Sequence, residues 1–144
     1  MQTKSVKTYI YFNTLFPRKK IWLIRENKII QRVYFRSKKN REEPILFCLD
    51  KILKKSNLKI ENISAIIVNK GPGHFTSVRK ILIVVNILSW YMDIPAFGIV
   101  LKEELDEEQE KKLVNKAINQ VNKLKTKQMI LPVYLKGADI KKSN

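Results

Sequence analysis

The sequence predicts an α/β fold, a mixed five-stranded sheet with helices on its faces. Three observations lead there. Three β-rich segments come first, and strand and helix patterns then alternate to the end of the chain. An apolar run, Ala65-Ile66-Ile67-Val68, enters a glycine turn at Gly71-Pro72-Gly73, and a long apolar helical pattern leaves it. The 144 residues make one domain, long enough to bury a core.

Each element has a local reason. Residues 7–14 are aromatic and β-branched, a first strand. Pro17 and the basic triplet Arg18-Lys19-Lys20 read as a turn, and 21–24 (Ile-Trp-Leu-Ile) as a second strand. Glu26-Asn27-Lys28 is a short turn before a third strand at 29–35, so the three form an antiparallel meander. Residues 37–41 read as a polar loop. Pro44 suits a helix start, and Ile45, Leu46, Leu49, Ile52 and Leu53 recur at helical spacing until Asn57. A fourth strand at 64–69 precedes the glycine turn and a helix over 75–91. Pro95 leads into a fifth strand at 96–100. A charged helix over 101–125 follows, with Leu105, Leu113, Ala117, Val121 and Leu124 as its apolar stripe; its middle, 106–112, is almost wholly charged and reads as solvated or kinked. Met129 to Leu135 is β-like but contains Pro132, hence an edge strand or docked tail, and residues 141–144 read as frayed. The chain therefore divides into a core over 7–100, the charged helix and a β-like tail over 129–136. This order also fits one ribonuclease-H-like lobe of the actin/Hsp70 type, although other α/β folds share it.

Glycines at 71 and 73 allow positive φ and close backbone approach, and Pro72 stiffens the loop between them. Thr76 is placed to cap the following helix. A glycine turn at a helix start can hold an anion, with Gly71, Pro72, Gly73, Phe75, Thr76 and Arg79 as the candidate residues. No Gly-Lys-Ser/Thr follows and no Gly-x-Gly-x-x-Gly is present, so a purely structural turn is the alternative. Charge is unusual: 29 Lys and Arg against 13 Asp and Glu give +16. That suits an anionic partner such as nucleic acid, or an acidic protein face. Lysines scattered through every segment fit a lysine-rich background as well.

Several chemistries find no support. The single cysteine, Cys48, excludes an internal disulfide and lies in an apolar helical segment, as an inert packed thiol does. His74 is the only histidine, so neither a Ser-His-Asp triad nor a multi-histidine metal site can form. Glu42-Glu43 are better read as acids at a helix start than as a catalytic pair. Tyr9, Tyr11, Phe12, Trp22, Tyr34 and Phe35 mix with Arg18, Lys19, Lys20, Arg32 and Arg36. Such a mixture can stack on and neutralise single-stranded RNA, or it is an alternation of core aromatics and exposed charges. The N-terminus lacks an apolar leader, and the run from Ile81 to Met92, interrupted by Asn86 and Ser89, is too short to span a bilayer. A cytoplasmic protein without a membrane segment, metal or cofactor is expected.

The stretch from Leu53 to Gly98 resembles the TsaB (YeaZ) family. That family carries a strand, then Gly-Pro-Gly-Ser-Phe-Thr-Gly-Leu-Arg-Ile-Gly, then a helix, an Ile-Pro and a short strand. This chain has Ile60 to Val68, then Gly71-Pro72-Gly73-His74-Phe75-Thr76-Ser77-Val78-Arg79, then Asp93-Ile94-Pro95-Ala96-Phe97-Gly98-Ile99-Val100. Leu131-Pro132-Val133-Tyr134-Leu135-Lys136 resembles the family's closing Pro-x-Tyr-Leu-Arg. The specific match covers roughly a third of the chain. It implies a single lobe of the N-terminal type in a two-lobed family. It also implies a non-catalytic subunit that pairs, through a helix bundle, with TsaD, the catalytic subunit making N6-threonylcarbamoyladenosine at position 37 of tRNA.

There are departures. Asn13-Thr14-Leu15 replaces Asp-Thr-Ser, which removes a carboxylate that could hold metal or phosphate. His74 replaces Ser, and Ser77, Ile81 and Ile87 replace glycines that would admit a close partner helix.

The helix over 75–91 supports an interface independently. Val78, Leu82, Val85 and Leu88 form one stripe, and Ile83, Ile87 and Trp90 another. Covering one sheet face needs one stripe; the second suits a partner, or neighbouring helices of the same chain. The expected interface is Ile83, Ile87 and Trp90 with Ile45, Leu49 and Ile52 from the helix over 44–56. It would bind a TsaD-like subunit or, alternatively, a second copy, with tRNA contact through the basic surface. A stand-alone basic RNA-binding module is the alternative function. A hydrolase using the glycine turn lacks a nucleophile–base pair.

Overall fold

Strands that are apolar on both faces must be covered on both, and the first two strands of this chain are among those of that kind. All six residues of β1 (Thr8–Asn13) are buried, as are the middle five of β2 (Lys19–Arg25). A computed structural model describes residues 6–36, 44–124 and 129–134. Its remaining elements are β3 (Lys28–Phe35), α1 (Ile45–Lys55), β4 (Ile63–Asn69), α2 (Phe75–Met92), β5 (Ala96–Ile99) and α3 (Glu107–Val121). The sheet order is β3-β2-β1-β4-β5; β1 to β3 form an antiparallel meander, and β4 and β5 run parallel to β1. This is the mixed five-stranded α/β sheet expected.

Three layers result. Ile10, Phe12, Ile21, Leu23, Ile66 and Val68 point to one face, where α1 covers β2 and β3 and α2 covers β4 and β5. Tyr9, Tyr11, Trp22, Ile24, Ala65 and Ile67 point to the other, beneath α3. Cys48 is buried in the first core. The β2–β3 turn is tight, with positive φ at Glu26 (51°) and Asn27 (63°), which matches the twist of the strands it joins.

Three expectations need correction. The second strand begins at Lys19, not Ile21, because Lys20 pairs with Asn13 and its side chain turns inward. The charged helix does not begin at 101. Leu101 is buried and its N–H bonds the Gly71 carbonyl, and Asp106 caps a helix that starts at Glu107 by accepting from Gln109 N at 2.8 Å. The buried face of α3 is Glu110, Val114, Ala117, Ile118 and Val121; Leu113 is exposed and Leu105 lies outside the helix. The apolar helix after the glycine turn is also longer than its apolar run. At 18 residues and mean hydropathy 1.2 it is long and apolar enough to cross a membrane by length and composition alone. Here its inner side, Val78, Ile81, Leu82 and Val85, packs into the core.

Of the β-like tail, only 129–134 lies within the described residues; the polar loop at 37–41 and the end at 141–144 lie outside them. The described part is a docked segment with one parallel bridge, Gly73 to Tyr134.

Candidate functional site: a filled crevice and an apolar helix face

In an α/β sheet the place for a ligand is outside the carboxyl ends of the parallel strands. Here β1 ends at Asn13, β4 at Asn69, and the glycine turn follows β4. The chain fills this crevice with its own atoms. Glu110, 1% exposed, reaches in from α3. Its Oε2 accepts from Tyr11 Oη at 2.6 Å and from Asn13 Nδ2 at 2.6 Å, and its Oε1 from Lys20 Nζ at 2.6 Å. Asn13 Oδ1 accepts from Asn69 Nδ2 at 3.0 Å, and Asn69 Oδ1 accepts from Gly71 N at 3.2 Å. A continuous hydrogen-bonded chain thus runs from Lys20 to the glycine turn. Burial, then the charge of Glu110 and its hydrogen bond, hold the Tyr11 hydroxyl well above its ordinary pKa, so it stays a donor. Lys20 Nζ also lies 5.4 Å from the centre of the Trp22 ring. Close by, Thr14 Oγ1 and Trp22 Nε1 are buried with no hydrogen-bond partner among the described residues.

These residues do not fit a metal ion. Asn13 brings no charge, the Glu110 carboxylate is engaged by three donors, and no group of three His, Cys, Asp or Glu side chains exists among the described residues. The glycine turn is filled as well. Gly71 sits at φ 129°, and a Cβ there would lie 2.0 Å from the Val133 carbonyl oxygen. Val133 N donates to the Lys70 carbonyl at 2.9 Å. The close approach that glycine permits is therefore made by the chain's own tail.

The other turn residues divide. Gly73 is buried against Leu15 and Val78, and the Gly71–Pro72 peptide is cis. Phe75 is half exposed, stacks on Tyr134 at 5.0 Å between ring centres, and carries the Arg79 guanidinium 4.8 Å from its own. Thr76 caps nothing: the helix begins one residue before it, His74 is the cap residue, and the His74 carbonyl accepts from Val78 N.

The second site is the outer face of α2. Ile83, Ile87 and Trp90 are 55%, 58% and 77% exposed, and Tyr91 joins them at 76%. Ile45, Leu49 and Ile52 are not part of any outer face. They are buried against the sheet, because that stripe is what holds α1 to β2 and β3. The outward apolar residues of α1 are Leu46 and Phe47. Ile81 likewise points into the core, so its bulk there fills the interior rather than holding a partner away, whereas Ile87 and Ser77 are exposed. The aromatic–basic mixture is mostly core: Tyr9, Tyr11, Phe12, Trp22 and Phe35 are buried. Tyr34 is exposed, under Arg18 at 4.0 Å and beside the Arg32–Glu107 pair at 2.7 and 2.9 Å. That pair holds the Glu107 carboxyl below its ordinary range.

Glu110 is the residue that sequence reasoning missed. Its signal is phase: 110, 114, 117, 118 and 121 form a single helical stripe whose first member is acidic.

Comparison with known proteins points to one group. A family model described as "TsaD: tRNA N6-adenosine threonylcarbamoyltransferase" matches residues 29–102. The tRNA threonylcarbamoyladenosine biosynthesis protein TsaB of Bacillus subtilis is 31% identical over 85 residues, 59% of this chain and 37% of that protein. The TsaB of Buchnera aphidicola is 28% identical over 98 residues, 65% of this chain and 47% of that protein. YeaZ from Pseudomonas aeruginosa superposes with a TM-score of 0.58 at 21% identity, covering 65% of this chain and 44% of that one. The chain spans less than half the length of the curated relatives it matches.

Proposed function

This chain belongs to the TsaD family of the matching model, among its TsaB (YeaZ) members, and from that premise we propose that it is a non-catalytic subunit in tRNA N6-threonylcarbamoyladenosine formation. It pairs with a TsaD-like catalytic subunit, in the cytoplasm, and contributes no chemistry of its own. One observation carries the pairing: the outer stripe Ile83, Ile87, Trp90 and Tyr91 on α2, apolar and solvent-facing. At 77% and 76% exposure, Trp90 and Tyr91 together present on the order of 300 Å², taking about 200 Å² for an aromatic side chain. With Ile83 and Ile87 beside them this is an apolar patch of the size that often marks an interaction site. The filled crevice supports the non-catalytic part of the reading, since Glu110 and Val133 stand where a ligand would approach the strand ends.

The test is size exclusion of this chain with the TsaD-like protein of its own source. A discrete complex is expected, and Ile83→Glu or Ile87→Glu should abolish it. Pairing that survives both changes would remove the α2 face from the proposal. The net charge of +16 favours a second role, contact with the tRNA backbone. That contact should weaken steeply with salt, and its absence in low salt would end it.

A further inference from the structure

The docked C-terminal segment lies along α2 in a way that the core does not require of all its residues. Asn86, in the middle of α2, holds it with both ends of its amide: Nδ2 donates to the Ile130 carbonyl at 3.1 Å, and Oδ1 accepts from Ile130 N at 2.8 Å. Ile130 is buried in the core, whereas its neighbours Met129 and Leu131 are 73% and 66% exposed. Extended backbone sends alternate side chains to opposite sides, so pinning Ile130 inward turns Met129 and Leu131 outward. They line one side of an open groove of about 420 Å³, whose other side is Ile83 and Ile87 of α2. Val133 and Tyr134 anchor the segment's far end at the glycine turn.

We propose that segment 129–134 is half of the docking surface, and that the groove it forms with α2 receives an apolar segment with an acidic rim from the partner subunit. This rests on the pairing proposed above and extends it to a surface outside the helices. The chemistry of the occupant follows from the lining. The groove walls are apolar except for Asn86, Tyr134 and one charge, Arg79, and α2 carries no carboxylate between Phe75 and Met92. Acidic side chains flanking an apolar stripe complement that face. A second copy of this chain is disfavoured by the +16 charge that each would bring.

The experiment measures the dissociation constant between the full chain and the TsaD-like subunit by calorimetry, for wild type and a set of variants. Leu131→Glu and Met129→Glu change exposed residues and leave the fold intact, as circular dichroism would check. Each should weaken binding on the order of tenfold or more. Asn86→Ala should weaken it too, and should raise hydrogen exchange at the Ile130 amide, which a role in the helix alone would not do. Ile87→Glu reports on the pairing itself. If Ile87→Glu abolishes binding while the 129 and 131 variants stay within about twofold of wild type, the inference is wrong and the pairing stands. If Ile87→Glu binds as wild type, the pairing through α2 falls and takes the inference with it. Arg79→Glu should weaken binding and flatten its salt dependence; tighter binding would overturn the acidic rim. Self-association in sedimentation that Leu131→Glu abolishes would assign the groove to a second copy instead.

Discussion

Asn13→Asp should be a severely damaging change although it is isosteric. Asn13 Nδ2 now donates to Glu110 Oε2 at 2.6 Å, in a site where the two residues are 2% and 1% exposed. An ionised aspartate in that place would oppose two carboxylates. With charge centres roughly 4 Å apart and an effective dielectric of about 20, the repulsion is about 4 kcal/mol. Protonating the introduced acid avoids the repulsion but not the penalty. Holding a group of ordinary pKa about 3.9 neutral at pH 7 costs about 1.36 kcal/mol for each of roughly three units, again about 4 kcal/mol. The sign with pH follows. The folded-state pKa of the introduced carboxyl lies above its unfolded value, so the variant approaches wild type below about pH 4 and falls behind as pH rises. Urea unfolding followed by circular dichroism at about pH 4.5 and pH 7 reads this directly. The loss should be about 4 kcal/mol at the higher pH, a large share of a domain's stability, and small at the lower. Adding Glu110→Gln should recover most of it, since an amide at 110 can donate to the new carboxylate. A deficit independent of pH, or none at pH 7, would refute the reasoning.

Other outcomes follow from the same geometry. Lys20→Met leaves the Glu110 carboxylate buried without a cation and should cost about 3–5 kcal/mol in urea, most of it recovered by adding Glu110→Gln. Gly71→Ala places a Cβ 2.0 Å from the Val133 carbonyl at φ 129°, and should lower stability by about 1–3 kcal/mol while exposing residues 129–134 to limited proteolysis. Tyr11 has a folded-state pKa well above the ordinary 10.0, so its contribution is complete below about pH 10 and is lost as pH rises further, at no more than about 1.4 kcal/mol per pH unit. Tyr11→Phe should remove that alkaline slope, which unfolding titrations above pH 10 would detect.

Much of the fold was legible because it rests on local pattern. The continuous apolar runs of β1 and β4, the helical spacing of α1 and the turn at Gly71 to Gly73 each carry their own signal. What was hidden is long-range. The stripe of α1 was legible as a stripe, but not which side of it met the sheet; Ile45, Leu49 and Ile52 are inward because β2 and β3 lie beneath them. Thr76 is a good cap by residue type and sits too late, inside the first turn. Met129 and Leu131 face outward only because Asn86, over forty positions earlier, grips the residue between them. In α3 the charge run concealed a buried acid, since a Glu in a solvated helix and a Glu under a sheet look alike until their partners are known.

Asn13 and Glu110 explain each other across that distance. On its own, Asn13 at a strand end where the family resemblance implies an aspartate reads as a binding site without its carboxylate. With Glu110 in place it reads as an exchange, because the acid sits on α3 and the neutral amide beneath it is the residue able to give Glu110 a donor and Asn69 an acceptor together. An ionised aspartate at position 13 could accept from Asn69 but could not donate to Glu110, and leucine could do neither. The same carboxylate draws Lys20 inward, which is why β2 starts two residues earlier than its apolar run. One buried acid on a helix therefore accounts for the altered first strand, the inward lysine and the closed crevice. With the crevice closed, exposed apolar side chains on α2 and the docked tail form the surface proposed for the partner, while Leu46 and Phe47 face outward on α1.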